Sequence, residues 1–296
     1  MPQVLKAASR RVDTATSTIF IVGRSDGEQG PDGVEGSLLR PLDEILVKAD
    51  LIEAARKLGF EEFSGNGKYV THYSVHRLVR TIGRPEDDAT NTLTARLLFL
   101  LESRPIVGED SYDDLLHVVI NAYCRDYEDH QRDFMPAFLS NDILRLWRTL
   151  CVNYEARTKT TPEQEKAKRR LTNYKLKHSR LLTCYSGILY LLAIFKARGT
   201  VAPSDAIDMA HLTPTERLEW LLKQSEFATA AQTINAIIKN YQIFLESMDK
   251  SEDEQIKMFL GPESSYSGQE NEFGNLIHRA LKLIGKDSLF YRLLVV

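Results

Sequence analysis

The sequence predicts an α+β protein that is mostly α-helical, and three observations support this fold class. Extended runs with β-branched, aromatic or alternating residues occur only before Pro85, at residues 18–23 and 68–75. Every apolar pattern after Pro85 recurs at helical spacing. The chain has 296 residues, 43% of them hydrophobic, which is enough for a sizeable core. We therefore expect a small N-terminal α/β unit, residues 1–88, followed by a large helical bundle, residues 89–296.

The N-terminal unit is predicted to contain two strands and one helix. The run TIFIVG at residues 18–23 is rich in β-branched and aromatic residues, which indicates a buried strand followed by a glycine-rich acidic loop. Residues 42–58 have helical periodicity and stop at Gly59, a frequent residue just beyond a helix end. Residues 68–75 alternate aromatic or β-branched residues with polar ones, which indicates a half-exposed strand.

The rest of the chain is predicted to be helical, without strands. Thr213, Pro214 and Glu216 occupy N-cap, first-turn and capping-box positions, so a helix should begin there. The apolar stretch 181–195 is shorter than the roughly 20 residues that span a bilayer, so we interpret it as a central core helix. The predicted helices cover residues 91–103, 110–127, 139–157, 163–197, 214–225, 226–249, 251–260, 270–284 and a last short segment to 294.

Composition and cysteine spacing limit the possible function classes. The net charge of −3 provides no global attraction to nucleic acid or to anionic membranes, so any such binding must come from a local patch. Cys124, Cys151 and Cys184 lack the spacing of a zinc or disulfide motif, and we interpret them as buried thiols in a reducing compartment. Since no secretory leader pattern opens the sequence, we expect a cytoplasmic protein without a membrane partner.

Two polar helical stripes between residues 136 and 182 carry the strongest functional signal. One lies on the predicted helix 139–157 and is rich in amide and guanidinium donors. The other lies between Lys166 and Arg180, where seven Lys or Arg residues occur without an acid. If the two helices are antiparallel neighbours, these stripes form a concave basic field suited to phosphate. The predicted nucleotide- or phosphate-binding residues are Asn141, Asp142, Arg145, Arg148, Asn153, Arg170, Asn173, Lys177 and Arg180.

Two other interpretations of these stripes stay open. Both can be solvated helix faces on which Arg and Asp pair locally. The same patch can instead contact an RNA backbone through counterion release, with Tyr174 and Tyr185 as base-stacking residues. Aromatic residues at helical spacing are, however, more often part of a core.

Three segments within residues 55–195 resemble a known family. They are NTLTARLLFLLESRPIVGEDSYDDLL, YCRDYEDHQRDFMPAFLSNDILRLWRTLCVNYEAR and KRRLTNYKLKHSRLLTCYSGIL. They resemble bacterial nucleotidyltransferase-like proteins of the polymerase-beta superfamily, whose helical part is described as a substrate-binding domain and which are relatives of the P-II uridylyltransferase. The resemblance implies transfer of a nucleotidyl group from a nucleoside triphosphate, with Mg²⁺ held by paired aspartates.

The catalytic half of that family pattern is altered in this sequence. Residues 8–22 match the spacing of the family's Gly-Ser turn and Asp-x-Asp strand, but Ser9 and Arg10 stand at the turn, and Thr16 and Thr18 stand at the aspartate positions. The third acid is expected near His76, at the end of the strand that begins at Lys68, and is also absent.

Two alternative acid pairs remain. Asp32 and Glu35 follow a possible phosphate turn at Gly23 to Ser25, and Asp43 and Glu44 follow another at Gly36 and Ser37. Neither pair has the one-residue separation of the family motif, and we predict no metal ligands from the sequence. Mg²⁺ is expected only if the protein is an active enzyme.

The sequence therefore supports two functional hypotheses besides a purely structural helical adaptor. The first is a nucleotidyltransferase-family protein that binds a nucleoside triphosphate or other polyphosphate on its helical domain, with a remodelled catalytic half. The second is a catalytically silent nucleotide- or RNA-binding regulatory or adaptor protein that works with a partner chain. The catalytic carboxylates distinguish the two hypotheses.

Overall fold

The protein is α+β and mostly α-helical, as predicted, in the computed structural model. The structure describes residues 4–9, 19–23, 41–57, 72–156, 163–260 and 269–295. The chain divides into two compact units, Met1–Ala122 and Tyr123–Val296. The sequence placed this division at residue 88, before a segment whose strand pairs with the N-terminal strands.

The first unit contains a four-stranded sheet and five helices among its described residues. The strands are β1 (Val4–Ser9), β2 (Ile19–Gly23), β3 (His72–Ser74) and β4 (Ser103–Val107). The helices are α1 (Pro41–Lys57), α2 (Val75–Arg80), α3 (Glu86–Ala89), α4 (Thr92–Glu102) and α5 (Glu109–Tyr123), whose last residue already belongs to the second unit.

The sheet has the strand order β3-β2-β1-β4. Strand β1 pairs antiparallel with both β2 and β4, so that Ala7 lies opposite Phe20 on one side and Pro105 on the other. Strand β2 pairs parallel with β3, and α1 lies in the connection between them. A parallel pair requires such a long crossover, which explains why a helix separates these two strands in the sequence.

Strands β1 and β4 were not predicted from the sequence. The segment of β4, SRPIV, contains a proline and directly follows α4, and the sequence predicted no element between the helices 91–103 and 110–127. Its extended conformation depends on pairing with β1, almost 100 residues earlier. The predicted strand 68–75 is described only at its end, because Ser74 already caps α2 by accepting a hydrogen bond from the Arg77 N–H at 3.1 Å.

The second unit is helical in all its described regular elements. They are α6 (Ala137–Ala156), α7 (Glu163–Lys175), a π turn (Leu176–Arg180), α8 (Leu181–Arg198), α9 (Pro203–His211), α10 (Pro214–Leu222), a 3₁₀ turn (Ser225–Ala230), α11 (Ala231–Met248), α12 (Glu252–Met258), α13 (Gln269–Gly285) and α14 (Leu289–Val295).

Helix α8 is the central element of the second unit. Its side chains from Leu181 to Ile194 are buried except for Tyr185, and it contacts α6, α9, α10, α13 and α14. Among the described residues, one helix, Glu165–Arg198, is long and apolar enough to cross a membrane, and 72% of its most apolar window is buried inside the protein. Such burial is typical of a core helix, which agrees with the interpretation of residues 181–195.

Two features of the helical unit differ from the predicted pattern. Helix α9 was not predicted, although Pro203 at its start and Asp205, which accepts a hydrogen bond from the Ala202 N–H at 2.8 Å, are helix-start signals. The predicted helix 163–197 is interrupted by the π turn. The helix start at Thr213 is confirmed, since its Oγ1 accepts a hydrogen bond from the Glu216 N–H at 3.2 Å.

Candidate functional site

Two predicted ligand-binding residues, Arg148 of α6 and Lys177 of the π turn, lie beside side chains of neighbouring elements in the second unit. Helix α6 contacts both α8 and the π turn. Lys177 lies near Cys151 of α6, and Arg148 lies near Tyr185 of α8. We define the basic surface as the four side chains Arg148, Cys151, Lys177 and Tyr185. Its residues come from three elements of the bundle, α6, the π turn and α8.

Lys177 connects the π turn to two other helices. Its Nζ donates a hydrogen bond to Oδ1 of Asn271 in α13 at 3.4 Å, and its side chain is half-buried. Burial raises the pKa of the Cys151 thiol, the nearby Lys177 ammonium opposes this increase, and Glu155 adds to it. The ammonium group therefore contacts α13 at an exposed position and lies within electrostatic range of Cys151 in α6.

Arg148 is exposed, and its charge acts on one aromatic residue of α8, Tyr185. Burial and Cys184 raise the pKa of the Tyr185 hydroxyl, whereas the Arg148 guanidinium lowers it. The Tyr185 ring contacts the Trp147 ring edge-to-face, with centroids 6.3 Å apart, and both residues are only half-buried. An arginine next to partly exposed aromatic rings can contact both the charged and the flat parts of a ligand.

Asp142 has a structural environment that differs from the predicted role in ligand binding. It is 3% exposed, and its carboxylate accepts a hydrogen bond from the Tyr123 hydroxyl at 2.7 Å. Arg145 forms a longer ion pair with the same carboxylate, 3.5 Å from Nη1 to Oδ1. These contacts account for Asp142 without a ligand, because a buried carboxylate needs donors and a cation. Asn141 and Asn153 are exposed on α6.

The stripe on α7 does not face one common partner. Arg170 donates a hydrogen bond from Nη1 to the Phe259 carbonyl at 3.1 Å, which connects α7 to the end of α12. Lys177 is instead directed to α6 and α13. Asn173 and Arg180 are half-buried. Helical spacing placed these four residues on one stripe, whereas the π turn changes their relative directions.

Tyr174 is a core residue, in agreement with the core interpretation of the aromatic positions. It is 1% exposed and packs against His178, Phe244 and Phe259, with ring centroids 4.2, 5.4 and 5.3 Å away. Stacking of a nucleic acid base on this ring would require unfolding of the cluster. Of the two predicted stacking residues, Tyr185 therefore remains the candidate.

The cysteines lack the features of a redox or metal site. Cys124 and Cys184 are buried and Cys151 is half-buried, and all three are free thiols. Burial raises the pKa of Cys124 to about 12, so this thiol is protonated at neutral pH. The prediction of buried thiols holds for Cys124 and Cys184, whereas Cys151, a residue of the basic surface, is only half-buried.

Some of the residues considered for the catalytic positions lie outside the described residues, and Asp43, Glu44 and His76 lie in helices. Arg10, Thr16, Thr18, Asp32 and Glu35 lie outside the described residues. Asp43 and Glu44 lie in the first turn of α1, where Glu44 forms an ion pair with Lys48 at 2.6 Å. His76 lies in α2 and not in a strand. Within the described ranges, no group of three or more His, Cys, Asp or Glu residues is placed to hold a metal ion.

Comparison of the chain with protein-family models, curated proteins and solved structures finds no match.

Proposed function

We propose that the protein binds a nucleoside triphosphate, or a related polyphosphate, at the basic surface of its helical unit. One arrangement carries this proposal: Arg148 and Lys177 come from two elements that contact each other, α6 and the π turn, and their charges act on the neighbouring Tyr185 and Cys151. Phosphate oxygens accept strong charge-assisted hydrogen bonds from both residue types, and an arginine can donate two of them in parallel. Cations from two elements define a site better than a row of lysines on one helix.

The aromatic pair favours a nucleotide over inorganic phosphate. Trp147 and Tyr185 are half-buried and contact each other, and Tyr185 lies within electrostatic range of Arg148. A purine or pyrimidine base can stack on an exposed part of either ring, while the phosphates contact Arg148 and Lys177. The family resemblance of residues 55–195 points to the same class of ligand.

The proposed activity is binding without nucleotidyl transfer. Transfer needs carboxylates that hold two divalent ions at the reacting phosphate. Asp43 and Glu44 begin a helix, and Glu44 is paired with Lys48. We therefore propose a silent nucleotide-binding protein of the nucleotidyltransferase-like family, which acts in the cytoplasm as a regulator or adaptor for a partner protein.

Calorimetric titration with ATP, with and without Mg²⁺, tests this proposal. The double variant Arg148→Ala with Lys177→Ala should bind ATP at least roughly tenfold more weakly, because each charge-assisted hydrogen bond contributes about 1.5–3 kcal/mol. The matched control is Lys223→Ala with Lys239→Ala, which removes two exposed cations elsewhere in the same unit. The control should retain the wild-type affinity.

Three outcomes would overturn the proposal. Equal affinities of the two double variants would show that ATP binds elsewhere or only through net charge. Incorporation of radiolabel from α-labelled ATP into protein or RNA would show that the protein is an active transferase. A third arm of the experiment uses polyuridylate RNA. Tight RNA binding that weakens steeply with salt, in the absence of ATP binding, would show that the ligand of the basic surface is an RNA backbone and not a nucleotide.

A further inference from the structure

The π turn Leu176–Arg180 is the least expected feature of the second unit. It lies within one continuous helical segment, between α7 and α8. A π turn contains about one residue more than an α-helical turn, so it offsets the helix faces on its two sides by roughly one residue, about 100°. Such turns are rare and are frequently found at functional sites. This turn contains Lys177 of the basic surface.

His178 occupies the middle of this turn and is held from two sides. Its ring is 2% exposed and stacks on Phe244 of α11 and Phe273 of α13, with centroids 5.1 and 4.8 Å away and interplanar angles of 4° and 27°. Both partners are fully buried. The imidazole is therefore fixed in the core by helices that follow it by more than 60 residues.

The same ring bonds to the backbone of the turn. Its Nδ1 lies 2.9 Å from the carbonyl oxygen of Tyr174. A carbonyl can only accept, so Nδ1 carries the hydrogen and donates it. In an α-helix, the Tyr174 carbonyl would receive the backbone N–H of residue 178. Here the side chain of residue 178 also reaches that carbonyl, and side-chain hydrogen bonds to a carbonyl four residues earlier are a known cause of helix irregularity.

A side-chain bond of this kind does not by itself produce a π turn. In α11, Asn235 and Asn240 also donate from their side chains to carbonyls four residues earlier, at 3.0 and 2.9 Å, and α11 stays α-helical. His178 differs because its ring is also fixed by the stacked rings of Phe244 and Phe273. The two restraints together determine where the backbone of the turn can lie.

We propose that His178 is the positioning residue of the basic surface: its stacked ring and its hydrogen bond to Tyr174 maintain the π turn, and the π turn directs Lys177 toward Asn271 of α13, on a turn that also contacts α6. That the bound ligand is a nucleotide rests on the proposed function. The effect of His178 on the position of Lys177 does not depend on that function. His178 itself is buried and does not contact the ligand. A substitution of His178 should therefore change ligand binding only by moving the side chain of Lys177.

The charge state of His178 agrees with a role in positioning. Burial lowers its pKa to about 4, the hydrogen bond with the Tyr174 backbone opposes this shift, and Lys177 adds to it. The ring is therefore neutral at neutral pH and has one N–H, which the Tyr174 carbonyl accepts. A neutral buried ring adds no charge to the basic surface.

Distance measurement between spin labels tests the geometric part of the inference. Labels are placed at Val152→Cys, an exposed position of α6, and at Lys177→Cys, in a Cys151→Ser background that removes the half-buried native thiol. With His178 present we expect one narrow distance distribution. In His178→Phe, which retains an aromatic ring but loses the N–H, the mean distance should shift by about 5 Å or the distribution should broaden, since residue 177 rotates.

ATP affinity tests the functional part, in the protein with its native Lys177. His178→Phe should bind ATP roughly tenfold more weakly, comparable to the loss of one charge-assisted hydrogen bond. Tyr241→Leu is the control. Tyr241 stacks on Phe244, so its replacement removes packing from the same cluster but leaves the hydrogen bond between His178 and the Tyr174 carbonyl in place. Tyr241→Leu should be less stable than the wild type and should keep its ATP affinity.

The outcomes separate this inference from the proposed function. Absence of ATP binding by the wild type would overturn the proposed function, and the spin-label distances would still decide the role of His178. Unchanged distances in His178→Phe would overturn the inference, whatever the affinity. If His178→Phe does not fold, as judged by circular dichroism, His178→Asn takes its place: it retains a donor like those of Asn235 and Asn240 but loses the stacked ring, and the same shift is expected.

Discussion

The guanidinium of Arg96 in α4 and the carboxylate of Asp87 in α3 form a fully buried, two-pronged ion pair. The distances are 2.8 Å from Nη1 to Oδ1 and 2.6 Å from Nη2 to Oδ2, and both side chains are 0% exposed. The Thr81 hydroxyl donates to Oδ1 of Asp87 at 2.9 Å, and Nη1 of Arg96 also donates to the Leu78 carbonyl at 3.0 Å. This network connects α2, α3 and α4 within the first unit.

Removal of the carboxylate from this network should strongly destabilise the first unit. Asp87→Ala leaves the Arg96 guanidinium buried without its counter-ion, which costs about 3–5 kcal/mol. The two tryptophans, Trp147 and Trp220, belong to the second unit, so hydrogen exchange of the α4 amides is the suitable measurement. Asp87→Leu combined with Arg96→Met should recover part of the loss, because it buries no charge. Unchanged protection in Asp87→Ala would contradict the prediction.

Gly285, the last residue of α13, should not tolerate a methyl group. A Cβ at this position would lie 2.6 Å from Cδ2 of Leu192 and 3.0 Å from Cδ2 of Tyr291. We expect Gly285→Ala to lower the free energy of unfolding by about 1–3 kcal/mol through overpacking. Gly274 in the same helix is the matched control, since a Cβ there meets nothing within 4 Å. Gly274→Ala should raise stability by up to about 1 kcal/mol in urea unfolding followed by tryptophan fluorescence.

His178 should make the stability of the second unit dependent on pH. Its pKa is lowered by burial from 6.5 to about 4, so between these values the unfolded chain binds a proton that the folded protein does not. The stability that the neutral His178 ring contributes to the folded protein is complete above pH 6.5 and is lost as the pH falls to about 4. The shift corresponds to about 3 kcal/mol.

Urea unfolding of the wild type and of His178→Phe between pH 7 and pH 4.5 measures this contribution. The wild type should lose more stability than the variant as the pH falls, and the difference isolates His178 from the carboxylates that both proteins share. His278→Gln, at an exposed position of α13, controls for the loss of a surface histidine and should keep the wild-type slope. Parallel curves for the wild type and His178→Phe would contradict the assignment.

The start of α10 depends on a reciprocal cap. The Thr213 Oγ1 accepts a hydrogen bond from the Glu216 N–H at 3.2 Å, and the Glu216 carboxylate accepts one from the Thr213 N–H at 2.7 Å. Thr213→Ala should lower the free energy of unfolding by about 0.5–2 kcal/mol, while Thr213→Ser, which retains the hydroxyl, should be nearly neutral. Equal losses in the two variants, measured by urea unfolding, would assign the effect to the threonine methyl group.

Local signals explain how much of the fold was predictable. Helical periodicity, the cap at Thr213 and the apolar run from Leu181 predicted α4, α6, α8, α10, α11 and α13 close to their observed bounds. Strands β1 and β4 lacked such a signal because their conformation depends on partners almost 100 residues away. Helix α9 had a start signal at Pro203 and Asp205 that was missed because its apolar pattern is short.

The sequence predicted which segment carries the basic residues of the candidate site, but not the directions in which their side chains point. The excess of Lys and Arg between Lys166 and Arg180 identified the segment. Assignment of one stripe to Arg170 and Lys177 assumed an uninterrupted α-helix, whereas the first contacts the end of α12 and the second faces α6 and α13. Asp142 looked like part of the polar face because its partner Tyr123 lies outside the helix pattern.

The sequence by itself determined the helical class of the second unit, the central position of α8 and the basic character of the segment before it, since periodicity, hydrophobicity and charge are properties of neighbouring residues. Only the tertiary structure decided the pairing of β1 with β4, the burial of Arg96 with Asp87 and the π turn around His178. These features depend on groups distant in the sequence, and their free energy arises when those groups are brought together and removed from water.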